Sequence, residues 1–252
     1  MTGKITALYR HPVKGFTPEA LPKATLTQGA AFPVDRIYAV EDGPCGFDPA
    51  KPGWISKQKF AVLAKTAAVA KVRTLYDEHD DILRATAPGA EDFRASFETP
   101  VGRDAFATWL TAVLGEDAGG PYRVVDGQGH RFLDHPRGHV SVVNLASVRD
   151  LGIKLGVPLH PLRFRANLYV EGWPAWVELD RVGRGLQLGA ARAEVFAPIV
   201  RCAATAVDPT TARRDVDVPA ALHRHYGHAF CGVYVHVTAS GAVKQGDGAA
   251  LV

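Results

Sequence analysis

The chain has 252 residues, of which 47% are hydrophobic and 22% charged, and its 29 lysines and arginines outnumber its 26 aspartates and glutamates. A net charge of +3 is too small to indicate wholesale nucleic-acid binding, although it leaves room for one local anion site. A chain of this length folds without disulfides or structural zinc, and it has no apolar run long enough for a signal peptide or a membrane span. We expect a soluble globular protein with no membrane or nucleic-acid partner.

Short β-strand patterns, separated by turn-forming glycine, proline and aspartate, dominate the chain. They cover residues 4–15, 35–42, 167–173, 193–202 and 232–239. In the last of these, Val233, Val235 and Val237 alternate with polar residues and are predicted to share one face. Ser240 and Gly241 then predict a tight hairpin turn into the C-terminal segment.

Helical patterns are few, and each has recognisable end signals. They cover residues 104–115, 144–156 and 219–227. The first has an apolar stripe at i, i+3 and i+4 spacing and ends at Gly115, the second follows Asn144 as N-cap, and the third has Pro219 in its first turn.

The excess of strands over helices predicts a mainly β, barrel-like fold with a few helices and a mixed α+β N-terminal region. The loosest segment, residues 113–131, is rich in glycine and contains no clear strand or helix pattern. A domain boundary in that segment would divide the chain into residues 1–120 and residues 121–252.

Three cysteines, Cys45, Cys202 and Cys231, form neither a CxxC motif nor an even set. Free thiols indicate a reducing compartment, so we expect a cytoplasmic protein. An iron–sulfur cluster in its usual form needs four cysteines, which excludes that cofactor for this chain alone.

Cys202 is the cysteine with the most informative surroundings, because Arg201 precedes it directly in "APIVRCAATAVDP". A cysteine in an apolar strand is often only a small buried hydrophobe. A nearby cation, however, favours the thiolate, which is the form that binds metals or attacks electrophiles. Both interpretations stay open at this point, since neighbours on a strand point to opposite faces. Cys45 lies in a Gly-Pro turn and Cys231 begins a strand, so both are predicted to have no chemical role.

Basic residues are scattered along the chain, and two of them are closely spaced. If "RFRAN" is a strand, Arg163 and Arg165 project from one face, where an anion between them would relieve their repulsion. A solvated strand edge blunted by charge explains the same pair equally well.

Motifs for several other enzyme classes are missing or unconvincing. There is no GxSxG, Walker-type or GxGxxG sequence, which argues against serine hydrolases, NTPases and Rossmann dehydrogenases. The histidine-rich stretch 222–228 has no zinc spacing and is predicted to be a surface helix.

Five segments considered together are more specific than any of them alone. They are "LYRHPVKGF", "DRIYAVED", "RFRANLYVEG", "PIVRCAATAVDPTT" and "CGVYVHVTASGAVKQGD". Their order resembles that of the MOSC family, named after the C-terminal domain of molybdenum cofactor sulfurases, with its N-terminal β-barrel region. The Arg-Cys-x-x-Thr-x-Val-Asp-Pro run is the most specific element, and the pattern is most similar to the amidoxime-reducing branch.

This resemblance implies a molybdenum cofactor, in which molybdenum is held by the dithiolene of molybdopterin, and no use of pyridoxal phosphate. Cys202 would be the catalytic residue and metal ligand, giving molybdenum a protein thiolate. Arg201 would serve the anionic cofactor or keep the sulfur deprotonated. The other residues implied to contact the pterin or its phosphate are Lys14, Gly15, Arg36, Arg165, Asn167, Val200 through its backbone, and Tyr234. The segment "HPRGHVSVVN" also aligns with a cofactor-contacting stretch and adds Arg137 and Gly138.

Two positions depart from the pattern of the family. Gly15 stands where relatives often have a serine, so a hydroxyl that could bind phosphate is missing. Lys57 stands where an arginine is common, which replaces a planar fork by a point charge.

The resemblance implies an oxidoreductase that reduces N-hydroxylated or N-oxygenated small molecules. Because the chain ends at Val252 without a ferredoxin domain, its electrons are expected from a separate reductase of ferredoxin or flavoprotein type. The alternatives are a non-catalytic carrier of the molybdenum cofactor or of sulfur as a Cys202 persulfide, and an anion-binding barrel whose cysteine only packs.

Overall fold

Fifteen β-strands and three α-helices form the regular structure of the computed structural model, which describes residues 1–252. The strands are β1 (Thr2–Arg10), β2 (Glu19–Leu21), β3 (Lys23–Leu26), β4 (Tyr38–Asp42), β5 (Arg73–Asp77), β6 (Ile82–Thr86), β7 (Phe93–Ser96), β8 (Tyr122–Asp126), β9 (Val140–Asn144), β10 (Leu168–Glu171), β11 (Gly185–Leu188), β12 (Ala191–Val200), β13 (Phe230–Ala239), β14 (Gly241–Lys244) and β15 (Gly248–Leu251). The helices are α1 (Pro100–Leu114), α2 (Leu145–Leu155) and α3 (Val218–Tyr226). The predicted mainly β fold with a few helices is confirmed.

Seven of the strands close into a barrel in the order β1–β10–β9–β13–β12–β11–β15. Strand β1 completes the ring, because it is antiparallel to β15 through Thr2–Lys4 and to β10 through Lys4–Leu8. Val233, Val235 and Val237 lie in the apolar barrel core, which confirms the predicted face of β13.

The N-terminal half adds a second layered unit beside the barrel. Its three-stranded sheet β5–β6–β7 shares one apolar cluster with α1, in which Phe106 packs edge to face against Phe97. Helix α1 begins four residues earlier than predicted, because the Thr99 side chain accepts a hydrogen bond from the Gly102 amide. Sheet and helix together form the predicted mixed α+β region.

Helices α2 and α3 cover one outer face of the barrel and share an apolar cluster with β9 and β10. The Asn144 side chain caps α2 by accepting from the Ala146 amide, as predicted. Pro219 lies in the first turn of α3, and Gly227 ends that helix in a left-handed conformation. No helix of the chain combines the length and the apolar character that crossing a membrane requires.

The predicted hairpin at Ser240 and Gly241 is wrong. Strand β14 pairs with β3 rather than with β13, in the register Gly241–Leu26 to Lys244–Lys23. The Ser240 hydroxyl accepts from the Gln28 amide and ties the turn to the segment that follows β3. Strand alternation cannot reveal which partner a strand will choose, because any neighbour satisfies the same pattern.

Strand pairings cross residue 120 in two places. Strand β4 pairs with β8 from Tyr38–Asp126 to Asp42–Tyr122, and β1 belongs to the same barrel as β9 to β13. Both predicted ranges therefore contribute strands to shared sheets, and the division at residue 120 stays a prediction.

Candidate functional site

A pocket opens where the end of β12 meets loops from both halves of the chain. It consists of a cavity of about 270 Å³ and a neighbouring one of about 40 Å³. The two cavities are adjacent, because six residues line both: Arg36, Lys57, Asp134, Arg165, Cys202 and Ala204. A thiol, four charged groups and a small residue thus share one wall.

The turn that follows β12 fixes the position of Cys202. This residue stands before a 3-10 turn, Ala203–Ala206, and its carbonyl oxygen accepts from the Thr205 hydroxyl at 2.8 Å and the Thr205 amide at 3.0 Å. Thr205 is buried, so these bonds are shielded from water. The threonine of the Arg-Cys-x-x-Thr run therefore orients the cysteine.

Arg163 holds the same turn from the other side. Its guanidinium donates to the Ala206 carbonyl at 3.1 Å and to the carboxylates of Asp208 and Asp215 at 2.8 and 2.6 Å. Asp208 also accepts from the amides of the residues that follow Pro209, which forms the turn of the Val-Asp-Pro sequence. The motif is thus largely a scaffold for Cys202.

The prediction that "RFRAN" could be a strand is wrong. Residues Pro161–Phe164 form a 3-10 turn and Arg165 adopts a left-handed conformation, so Arg163 and Arg165 do not share a face. Arg163 is neutralised by two carboxylates and lines only the larger cavity, whereas Arg165 lines both cavities. The alternative of a solvated edge is also wrong, since Arg163 is only 4% exposed.

Arg201 is buried without a carboxylate partner. Its guanidinium donates to the carbonyls of Cys231 and Phe164, at 2.7 Å each, and lies 5.2 Å from the centre of the Phe164 ring. Gly232 allows this approach, since a Cβ there would come within 3.2 Å of the Arg201 Nη2 and 2.5 Å of the Val142 carbonyl. The positive charge is held by backbone dipoles and remains available to an anion.

Arg165 is the second cation without a carboxylate. Its Nη2 atom is buried and has no hydrogen-bond partner. Burial lowers its pKa to about 10, and the nearby charge of Arg36 acts in the same direction. An orphaned guanidinium nitrogen at a pocket wall is a donor without an acceptor, which a ligand anion would supply.

Arg36 is oriented by a buried acidic partner. Its guanidinium donates to Asp35, whose other oxygen accepts from the His11 amide at 2.7 Å and lies 3.2 Å from His11 Nδ1. Burial acts to raise the pKa of Asp35, but Arg36 and His11 outweigh it and hold the pKa below the usual range. Arg36 and Arg165 both adopt left-handed φ values, 53° and 49°, that are uncommon outside glycine.

Lys14 and Lys57 complete the group of cations. Lys14 Nζ donates to Asp134 at 2.5 Å and to the Phe132 carbonyl at 2.9 Å. Burial alone would lower the pKa of Lys57, yet Asp134 and the Cys202 sulfur raise it. The pocket therefore has more cations than carboxylates, and its net charge is strongly positive. The cations are Lys14, Arg36, Lys57, Arg165 and Arg201, and the carboxylates are Asp35 and Asp134.

The backbone conformation explains why Gly15 stands where related proteins often have a serine. Its φ is +92°, and a Cβ at this position would lie 2.7 Å from the Ala61 carbonyl, so a serine would be strained. The Gly15 amide donates to no group of the protein. Gly15 lines the smaller cavity.

Of the remaining predicted residues, some line the larger cavity and one mainly makes hydrogen bonds within the protein. Tyr234, Gly138 and the exposed Val200 line the larger cavity, and burial raises the pKa of Tyr234 to about 12. Asn167 lines it too, but its side-chain oxygen accepts from the Ser141 amide and hydroxyl and its nitrogen donates to the Tyr9 carbonyl. Asn167 is therefore mainly a clamp between strands.

Arg137 is the one predicted site residue outside the pocket lining. It is exposed, and its guanidinium lies 5.4 Å from the centre of the Phe196 ring, which stacks on the pocket residue Tyr234. The neighbouring Gly138 lines the larger cavity beside Tyr234, so only one of the two residues taken from "HPRGHVSVVN" lies at the wall. Cys45 and Cys231 are buried, and burial raises their pKa values to about 11 and 12.

Asp134 and the pair His11 and Asp35 were missed at the sequence level. Asp35 and His11 adjoin quoted motif residues in "DR" and "RHPVKG", so their positions beside Arg36 and Lys14 were a usable signal. Asp134 lies in an irregular segment with no periodic pattern, and nothing in the sequence shows that it meets Lys14.

Sequence comparisons agree with this architecture. The model of the MOSC N-terminal beta barrel domain matches residues 2–119, and that of the MOSC domain matches residues 129–249. The chain belongs to the MOSC family. The resemblance drawn from the five segments is thereby confirmed. No curated protein matches the chain.

Solved structures similar to this MOSC chain are distant. The YUAD protein of Bacillus subtilis is 17% identical over 99% of this chain and 94% of its own, with a TM-score of 0.48. YiiM of Geobacillus stearothermophilus is 21% identical over 46% of this chain and 54% of its own, with a TM-score of 0.36. YiiM of Escherichia coli is 21% identical over 45% and 54%, with a TM-score of 0.31. Likenesses this distant do not define an activity.

MOSC domains are associated with the molybdenum cofactor, and the pocket residues fit such a group. The orphaned Arg165 nitrogen and the free Gly15 amide are donors suited to a phosphate. Cys202 is the only half-buried thiol among three and reaches both cavities, so it can present sulfur to a soft metal.

Proposed function

We propose that this chain is a molybdenum-cofactor-dependent oxidoreductase that reduces N-hydroxylated or N-oxygenated small molecules. The observation that supports the proposal best is the position of Cys202, the one accessible thiol, on the wall that Arg36, Arg165 and Lys57 also line. A thiol that could ligate a metal lies beside cations that could bind phosphate, a combination that suits a phosphorylated, metal-bearing pterin.

In this proposal the cations of the pocket hold the cofactor. Lys14, Arg36 and Arg165, with the Gly15 amide, would bind the phosphate at the smaller cavity. The Cys202 sulfur, on the wall that Lys57 also lines, would ligate molybdenum. Tyr234 and Gly138 would contact the pterin along the larger cavity.

When bound, the cofactor would supply a two-electron redox centre for the cleavage of a substrate N–O bond. Overall, the N–O bond breaks, the nitrogen is reduced, and the oxygen leaves as water with two protons and two electrons. The electrons would come from a separate reductase of ferredoxin or flavoprotein type. Three free thiols support a reducing compartment, for which we propose the cytoplasm.

The chain's own groups would position the reaction. The Thr205 bonds to the Cys202 carbonyl and the Arg163 bond to the Ala206 carbonyl would hold the backbone that carries the sulfur in place. Val200, 64% exposed at the rim, would provide apolar contact for an incoming substrate.

Metal content and turnover test the proposal together. The protein is expressed in a host that makes the molybdenum cofactor, purified without chelator, and analysed for molybdenum, for pterin and for reduction of an N-hydroxylated amidine by a reduced viologen dye. Wild type should contain molybdenum and turn over. Cys202→Ala should lose turnover, whereas Cys45→Ala, which removes a buried thiol outside the pocket, should keep both.

Other results would decide against this function. Wild-type protein free of molybdenum and pterin would refute cofactor binding. Protein that contains the cofactor, shows no turnover and transfers the cofactor to an apo-molybdoenzyme would be the carrier instead.

A further inference from the structure

Asp134 is the one carboxylate of the cation cluster that reaches the open pocket. Asp35 is fully buried behind Arg36 and His11, whereas the Asp134 side chain is 44% exposed and lines both cavities. Its Oδ1 atom lies 2.5 Å from Lys14 Nζ. The carboxylate therefore stands where cavity and cations meet.

An anion entering the pocket would meet this carboxylate among the groups that attract it. Desolvation acts to raise the pKa of Asp134, but the charges of Lys14, Arg36 and Lys57 outweigh it and hold the pKa below the usual range. Asp134 is therefore ionised at neutral pH and repels a second anion close to Lys14. In the absence of a ligand it partly balances the cluster.

The surroundings of Asp134 allow its side chain to turn out of the pocket. It lies in the segment between β8 and β9, residues 127–139, which contains turns but no strand or helix. Phe132 and Leu133 are buried and anchor the segment, while Asp134 itself packs into no apolar cluster. If the carboxylate turns outward, Lys14 keeps its bond to the Phe132 carbonyl.

We propose that Asp134 is an internal counter-ion that an incoming ligand displaces, and that it restricts the pocket to dianionic phosphate monoesters. A monoanion that displaces Asp134 only replaces one negative charge by another, so the positive field of the cluster favours neither state. A dianion adds one negative charge to the cluster and is favoured. The inference rests on the proposed function, because it assigns the phosphate of the ligand to this cluster.

Titration calorimetry of cofactor-free protein tests this exchange without molybdenum. The ligands are methyl phosphate, a dianion at about pH 7.5, and methanesulfonate, a monoanion. The variants are Asp134→Asn, which removes the charge, and Asp134→Ala, which also removes the acceptor atoms. Asp80→Asn, an exposed aspartate on the β5–β6 turn, is the matched control. Circular dichroism and thermal unfolding establish that each variant folds.

We expect wild type and Asp80→Asn to bind methyl phosphate but not methanesulfonate. Both Asp134 variants should bind methyl phosphate at least about tenfold more tightly and should also bind methanesulfonate. Unchanged or weaker binding in the Asp134 variants, or no phosphate binding by any protein, would overturn the inference. Failure of the proposed function has a different signature, because molybdenum would be absent from wild type while the phosphate exchange persisted.

Discussion

Burial of His11 predicts a specific dependence of stability on pH. The imidazole is fully buried, its Nδ1 faces Asp35 at 3.2 Å, and its Nε2 has no hydrogen-bond partner. A proton on Nε2 would be a buried donor without an acceptor, close to the charges of Arg36 and Arg165. Burial, with these two arginines, lowers the pKa of His11 to about 3, despite the opposing effect of Asp35.

The direction of the effect follows from proton uptake in the two states. In the unfolded chain a histidine has a pKa of about 6.5, so below that value the unfolded state binds a proton that the folded state does not. Stability from this residue is therefore complete above about pH 6.5 and falls as the pH drops towards about 3. Integration from pH 7 to pH 5 gives a loss of about 2 kcal/mol in the free energy of unfolding.

Urea denaturation at the two pH values measures this loss. His11→Asn keeps an amide nitrogen near the position of Nδ1 and removes the titrating group, so its stability should change about 2 kcal/mol less than that of wild type over this range. His79→Asn, at a side chain that is 94% exposed, is the control and should follow wild type. If His11→Asn shows the same pH dependence as wild type, the imidazole is protonated in the fold and the reasoning fails.

Three further predictions concern the pocket. Iodoacetamide should modify Cys202 in the folded protein and Cys45 and Cys231 only after denaturation, as mass spectrometry of peptides would show; early modification of a buried thiol would contradict the burial pattern. Gly15→Ser should destabilise the fold by about 1–3 kcal/mol in thermal unfolding, because the residue is held at φ +92°, and an unchanged melting temperature would disprove this strain. Thr205→Val should cost about 1 kcal/mol and lower molybdenum retention; full retention would show that the hydroxyl does not orient Cys202.

Local signals predicted the elements better than the site. The caps at Asn144 and Gly227 and the alternation of Val233 to Val237 depend on neighbours in sequence, and the structure confirms them. The partner of β14 and the split of Arg163 from Arg165 depend on contacts between distant segments. The periodicity of a segment does not record contacts with distant segments. In addition, a 3-10 turn and a strand of four residues have similar sequence patterns.

For the site, too, the residues within the family motif were predicted, whereas residues that only the folded chain brings to the pocket were not. The family motif led to Cys202, Arg36 and Arg165, which the fold brings together on one wall. It did not indicate Asp134, and it added Arg137, which lines neither cavity. Resemblance transfers residues that stand in a motif, whereas charges that balance them arise from the particular fold.

The distribution of charge in the pocket carries the strongest physical argument for an anionic ligand. Arg163, outside the cation cluster, has its charge neutralised by two carboxylates. Arg201 and Arg165 have none, although an unpaired buried cation destabilises a fold by several kcal/mol. A chain with 26 acidic residues could have paired them, as it paired Arg36 with Asp35. Two cations without a carboxylate on the wall that also presents an accessible thiol would be balanced by an anionic ligand, which is what the proposed cofactor would supply.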